Sequence, residues 1–126
     1  MSNKSNGTAF EREWANTLAN LNYWAHCIKD NANGQPFDVI AAKAGRVFAF
    51  DCKVCKDKFL LSRVEDNQYF AMKRFIECGN ANAYFVLKFG VNTYLIHFAD
   101  IIELRQNHVS SISEDDARRL DQWIVL

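Results

Sequence analysis

Neither sign of charge dominates this chain: 15 basic and 15 acidic side chains cancel to a formal net charge of zero. The whole-molecule field therefore does not announce a polyanionic partner, and any surface that grips nucleic acid must be a local patch. Long hydrophobic runs are also missing. No apolar stretch reaches bilayer length, and the first residues lack the charged, apolar and small-residue succession of a secretory signal, so a cytoplasmic protein is expected. No linker, repeat or low-complexity segment divides the 126 residues, and one domain spanning 1–126 follows. Histidine is scarce and scattered, at His26, His97 and His108, and is assigned no catalysis. Four cysteines without a signal read as free thiols in a reducing compartment. Cys52 and Cys55 form a C-x-x-C pair, but no second pair stands at zinc-ligand spacing. Cys27 and Cys78 read as small buried residues.

What the chain does have is apolar bulk: 49% hydrophobic residues with ten Phe, three Trp and four Tyr, the composition of a well-packed globular protein. Met1 to Gly7 are polar and expected to be flexible. From Thr8, Phe10, Trp14, Leu18 and Leu21 recur at helical spacing and predict a first helix to about Asn22. Tyr23 to Ile28, a short apolar segment, could form a first strand, and Lys29 to Pro36 read as a polar loop by turn chemistry. Residues 37–42 and 46–55 alternate as strands around Lys43, Ala44 and Gly45, a connection short enough for a hairpin.

Ser62 followed by Glu65 reads as a capping box for a second helix, stopped by Gly79 and Asn80. Ala83 to Phe89 and Thr93 to Phe98 form another strand pair, and Ser113 caps a last helix carrying Arg118 and Arg119. Strand runs interrupted by single helices predict an α/β sandwich: a mixed central sheet with the first two helices over its faces.

Within the strand 46–55, alternate side chains share a face, so Asp51 and Lys53 point one way while Phe48, Phe50, Cys52 and Val54 point the other. Asp38 can lie across from Asp51 if the hairpin register is right, putting two carboxylates within reach of one cation. Hydrolysis of a phosphodiester needs neutralised phosphate charge, an activated water and a stabilised leaving oxygen, which a carboxylate-held Mg²⁺ supplies. Lys53 is placed to hold the attacking water and counter developing negative charge. The plainer reading is a same-face ion pair of little worth on an exposed sheet. An acid and a lysine flanking one apolar residue in a Phe-rich strand would, however, be a costly arrangement without function.

Phe37-Asp38 followed, thirteen positions after Asp38, by Asp51-Cys52-Lys53 resembles the PD-(D/E)xK nuclease signature, with Phe where Pro is usual. Gly7 and Glu11-Arg12-Glu13 on the first helix resemble the N-terminal motif of archaeal Holliday-junction resolvases, which implies a metal-site carboxylate at Glu11. Lys56 to Phe59, Asp66-Asn67-Gln68, Met72 and Tyr84 to Leu87 resemble the corresponding stretch of bacterial RecU resolvases, which adds Gln68 near the site. The resemblance implies a restriction-endonuclease-like fold and a Mg²⁺-dependent, homodimeric enzyme, with Mn²⁺ able to substitute, that cuts branched or four-way DNA in a bacterial, archaeal or phage-infected cell. Its metal would be held by Glu11, Asp38 and Asp51.

It covers roughly residues 7–100, so a nuclease core over 8–100 and a C-terminal helical addition over 101–126 are expected. The neutral charge and the lack of a RecU-type stalk depart from the pattern. Other readings stay open: a restriction-like or end-processing nuclease of the same fold, or a binding module without catalysis. Thr8-Ala9-Phe10-Glu11 is itself a capping-box pattern, in which Glu11 would serve the helix end. Glu13, on another side of the helix, reads as solvated. Arg12, Lys56, Lys58 and Arg63 are candidates for gripping phosphate, although acidic residues interleave with the last three. Tyr69, Phe70 and Phe75 read as packing residues.

Overall fold

The structure, a computed structural model, describes residues 3–28, 35–123 and 126. Most of the loop expected from Lys29 to Pro36 lies outside these residues, as do Met1 and Ser2. The chain opens with helix α1 (Asn3–Asn20). This helix begins well before Thr8, so Thr8 and Glu11 are interior helical positions and the capping box between them does not form. It ends where Asn22 takes a left-handed φ of 69° and turns the chain into β1 (Trp24–Cys27).

Next come β2 (Val39–Lys43) and β3 (Arg46–Cys55), joined by Ala44 and Gly45 at φ 53° and 77°. Two consecutive positive φ values give the tight turn whose twist matches the flanking strands. Lys43 is thereby set opposite Arg46 and Val39 opposite Phe50. A slip of one residue would turn every side chain of β3 to the wrong face, and burial on both faces forbids it.

A short strand β4 (Lys58–Leu60) and a 3₁₀ turn over Leu61–Arg63 lead to α2 (Asp66–Glu77). The cap of α2 is Glu65, reciprocated by Gln68; Ser62 sits in the 3₁₀ turn and does not cap it. Then come β5 (Asn82–Phe89), β6 (Asn92–His97), α3 (Phe98–Gln106), β7 (Ser111–Ser113) and α4 (Glu114–Leu120). Phe98 begins α3 instead of ending β6, because the His97 ring Nδ1 accepts the Ala99 N–H and caps a new helix. Ser113 does cap α4, in a box with Asp116.

The main sheet has the order β1-β2-β3-β5-β6 and is mixed, since β3 and β5 run parallel while the other neighbours are antiparallel. The α/β sandwich expected from the pattern is therefore found. On one face α1 lays Phe10, Trp14 and Leu18 against Phe48, Phe50, Cys52, Tyr84 and Val86. Leu21, past the helix end, is exposed instead of completing that stripe. On the other face Met72 of α2 joins Phe59, Phe85, Leu87 and Ile96, together with Ile101, Ile112 and Ala117 from the last quarter of the chain.

β7 pairs with β4, which ties that last quarter to the loop after β3. Cys27, on the edge strand, and Cys78, at the C-cap of α2, are exposed, contrary to expectation. No helix among the described residues is long and apolar enough to cross a membrane.

Candidate active site

The hairpin turn sets the register that builds the site. Val39 faces Phe50, and one step outward the Asp38 N–H donates to the Phe50 carbonyl at 2.8 Å while the Asp38 carbonyl accepts the Ile28 N–H at 2.8 Å. Asp38 is thus held between β1 and β3 at the end of β2, alongside Asp51. Both aspartates are buried, Asp51 completely.

Their surroundings differ. Asp38 Oδ2 accepts the main-chain N–H of Cys52 at 2.7 Å, and Oδ1 accepts the side-chain amide of Gln35. Glu11, from α1, comes within hydrogen-bonding reach of the same carboxyl. Asp51 is met by an ion pair, Lys53 Nζ standing 3.2 Å from Oδ1 with the Asp38 carboxyl beside it, and among the described residues no donor forms a well-aligned hydrogen bond to either oxygen. The Lys53 amine also donates to Gln68 Oε1 at 3.2 Å, the oxygen that accepts the Glu65 N–H in the cap of α2.

Burial raises the Asp51 carboxyl to about 7, the negative charge of Asp38 adds to the rise, and the Lys53 ammonium opposes it. Asp38 is also raised, chiefly by burial, with the Cys52 N–H, Lys53 and the Gln35 amide pulling it back. A buried carboxylate with unsatisfied lone pairs is expensive to keep unless something positive meets it. The donor set of Glu11, Asp38 and Asp51 is all oxygen, which suits a hard divalent ion. Among the described residues no three His, Cys, Asp or Glu side chains already stand as a ready metal cage.

A cleft of about 1440 Å³ opens over these groups and is lined by Glu11, Asp38, Lys53 and Gln68. Of the cations expected to grip phosphate, Arg12, Lys56, Lys58 and Arg63 all border it. Arg63 is partly committed elsewhere, donating to the Val54 carbonyl at 2.9 Å and lying over the Phe59 ring. Glu13 is turned away and, although exposed, pairs with Lys88 of β5 at 2.9 Å. Cys52 and Cys55 belong to the cores on opposite faces of the sheet, so they cannot converge on one zinc ion. Burial pushes the Cys52 thiol well up and Cys55 to about 11, away from the thiolate a metal needs.

Gln35 and the Cys52 main-chain N–H were not foreseen. A loop glutamine three positions ahead of an aspartate carries no pattern, and a main-chain donor carries no residue type at all.

The family model for archaeal Holliday junction resolvase (Hjc) matches residues 2–124. The chain belongs to the archaeal Holliday junction resolvase family. Members are metal-dependent endonucleases that cleave DNA junctions, and the PD-(D/E)xK nuclease superfamily fits that family. Among solved structures, the Holliday junction resolvase Hjc of the archaeal hyperthermophile Archaeoglobus fulgidus superposes with a TM-score of 0.68 at 18% identity. The match covers 93% of this chain and 95% of that one. No curated relative matches the chain.

Proposed function

We propose that this resolvase holds Mg²⁺ with Glu11, Asp38 and Asp51, that Mn²⁺ can replace it, and that Lys53 manages the attacking water. When bound, the ion supplies phosphate charge neutralisation and a more acidic water. The observation that carries the reading is Asp51: a fully buried carboxylate beside a second one, Asp38, with a single ammonium, Lys53, between them and the cleft and no well-aligned hydrogen bond to either oxygen among the described residues. Such a group is costly in a folded chain and useful only toward a cation.

The side chains divide the remaining work. Lys53 is steered by Gln68 and Asp51, so its ammonium sits at the cleft wall, where it orients water for in-line attack and offsets charge on phosphorus. The leaving 3′ oxygen departs as the 3′ hydroxyl and the new bond leaves a 5′ phosphate. Gln68 fixes the lysine and does not itself need to touch DNA. Arg12, Lys56 and Lys58, exposed along the cleft, take the flanking phosphates, with Arg63 as the wall between them. Two symmetric nicks across a four-way junction call for two such sites, hence a two-fold homodimer. With cellular DNA as its substrate, the enzyme works in the cytoplasm.

The test is a synthetic four-way junction incubated with and without Mg²⁺, beside flap, duplex and single-stranded controls. Paired nicks in the junction that require the ion, and that disappear in Asp51→Asn, are expected. Undiminished cleavage by Asp51→Asn would refute the assignment of the site.

A further inference from the structure

Two hydrogen bonds outside the acidic cluster form a chain that ends on Asp38. The Asn67 side-chain amide, in the first turn of α2, donates to the main-chain carbonyl of Gln35 at 3.0 Å. The Gln35 side-chain amide in turn donates to Asp38 Oδ1. The next residue of α2, Gln68, accepts the Lys53 amine at 3.2 Å. One helical turn therefore reaches both the aspartate and the lysine, from neighbouring positions.

A carboxylate offers about four lone-pair directions on its two oxygens. At Asp38 the Cys52 N–H takes one on Oδ2 and the Gln35 amide takes one on Oδ1. These two donors, one on each oxygen, fix the plane of the carboxylate, with Glu11 within reach of the same group. We propose that Gln35 is a positioning residue for the metal site and that Asn67 positions Gln35. The inference rests on the reading of Asp38 as a metal ligand. Groups that orient a ligating carboxylate typically matter about 10- to 100-fold in metal affinity when removed. Asn67 acts on Gln35 only through the backbone, so its effect should depend on the Gln35 side chain being present.

The experiment is calorimetric titration of the full chain with Mn²⁺, without DNA. The set comprises the parent, Gln35→Met, Gln35→Ala, Asn67→Ala, the Gln35→Met/Asn67→Ala double variant and Asp38→Asn. Gln35→Met keeps the length of the side chain and removes the donor. The expected result is Mn²⁺ affinity about tenfold weaker in Gln35→Met and Gln35→Ala and less weakened in Asn67→Ala. The double variant should be no worse than Gln35→Met, a non-additivity that reports coupling along the chain.

Junction affinity in the absence of metal should stay at the parent value in the Gln35 and Asn67 variants, which a general loss of structure would not allow. Parent-like Mn²⁺ affinity in both Gln35 variants overturns the proposal, and so do fully additive losses for its Asn67 part. Full Mn²⁺ binding by Asp38→Asn would instead overturn the reading of the site itself. Loss in Asp38→Asn with none in the Gln35 variants sinks only the present inference.

Discussion

The two faces of β3 are buried to nearly the same depth and are used in opposite ways. Toward α1 the strand presents Phe48, Phe50 and Cys52, and the rings interlock: Phe48 and Phe50 stack at 6.0 Å, and Trp14 meets Phe50 edge-on at 5.4 Å. On the other face it presents Ala49, part of the core beneath α2, then the buried Asp51, then its ion-pair partner Lys53, which lines the cleft. An apolar face gains by being dry, whereas a dry carboxylate face is held against its own electrostatics. The first face stabilises the strand that the second face strains. The helix behind the site is packed by aromatic rings, while on the other face the buried Asp51 has the Lys53 ammonium as its counter-charge, at 3.2 Å.

The comparison breaks most visibly if the apolar face is emptied. Phe50→Ala removes a fully buried ring that touches Trp14, Phe48 and Tyr84. Its expected cost is about 3–5 kcal/mol of folding free energy. Urea unfolding followed by tryptophan fluorescence measures it. The folded fraction should keep near-parental cleavage, because no charged group has moved. A loss below about 1 kcal/mol would mean the face is not a close-packed core.

Lys53→Ala makes the complementary change on the cleft face. Cleavage should fall on the order of 100- to 1000-fold, the usual effect of removing one preorganised electrostatic group. The unfolding midpoint should move much less than in Phe50→Ala, since Asp51 can take up a proton when its partner leaves. Single-turnover cleavage of a four-way junction and a melting curve on the same sample separate the two effects. If the melting loss matched that of Phe50→Ala while turnover survived, Lys53 would be a structural cation.

How much of this was legible follows from which forces act locally. Strand β3 could be read to its ends because alternation of Phe48, Phe50 and Cys52 with Asp51 and Lys53 is a period-2 signal. Ala44-Gly45 then supplied the register that pairs Asp38 with Asp51. Ser113 could be read as a cap because its partner Asp116 is only three positions away.

β4 and β7 escaped because each has three residues and each exists by pairing with the other, half the chain away. Thr8 to Glu11 misled because a capping box and a helix interior use the same residues. Only the helix starting at Asn3 distinguishes them. Ser62 misled for a related reason: Glu65 with Gln68 forms the same kind of box three residues later, and packing of the 3₁₀ turn chose between them. Glu11 and Gln68 came from resemblance, whereas Gln35 was invisible, its role being created by a loop meeting a helix.

The smallest expected effect is also the most specific to the strained face. Asp51 ionises in an unfolded chain near the ordinary 3.8, but in the fold only at about 7. At pH 3 both states hold the proton. As pH rises past the unfolded value, the unfolded chain releases it first while the native protein keeps it, so the native state binds more protons and stability falls across the window up to about pH 7. Metal-free protein in chelator should therefore be less resistant to urea at pH 8 than at pH 5, by at most a few kcal/mol.

Asp51→Asn, which keeps the shape without the charge, should flatten that part of the profile and stabilise the protein at pH 8 while cleavage is lost. Stability gained with loss of activity marks a residue kept for function against the preference of the fold. If Asp51→Asn left the pH profile unchanged, or lowered stability at pH 8, the cleft face of β3 would not be strained, and the contrast between the two faces would reduce to one of composition.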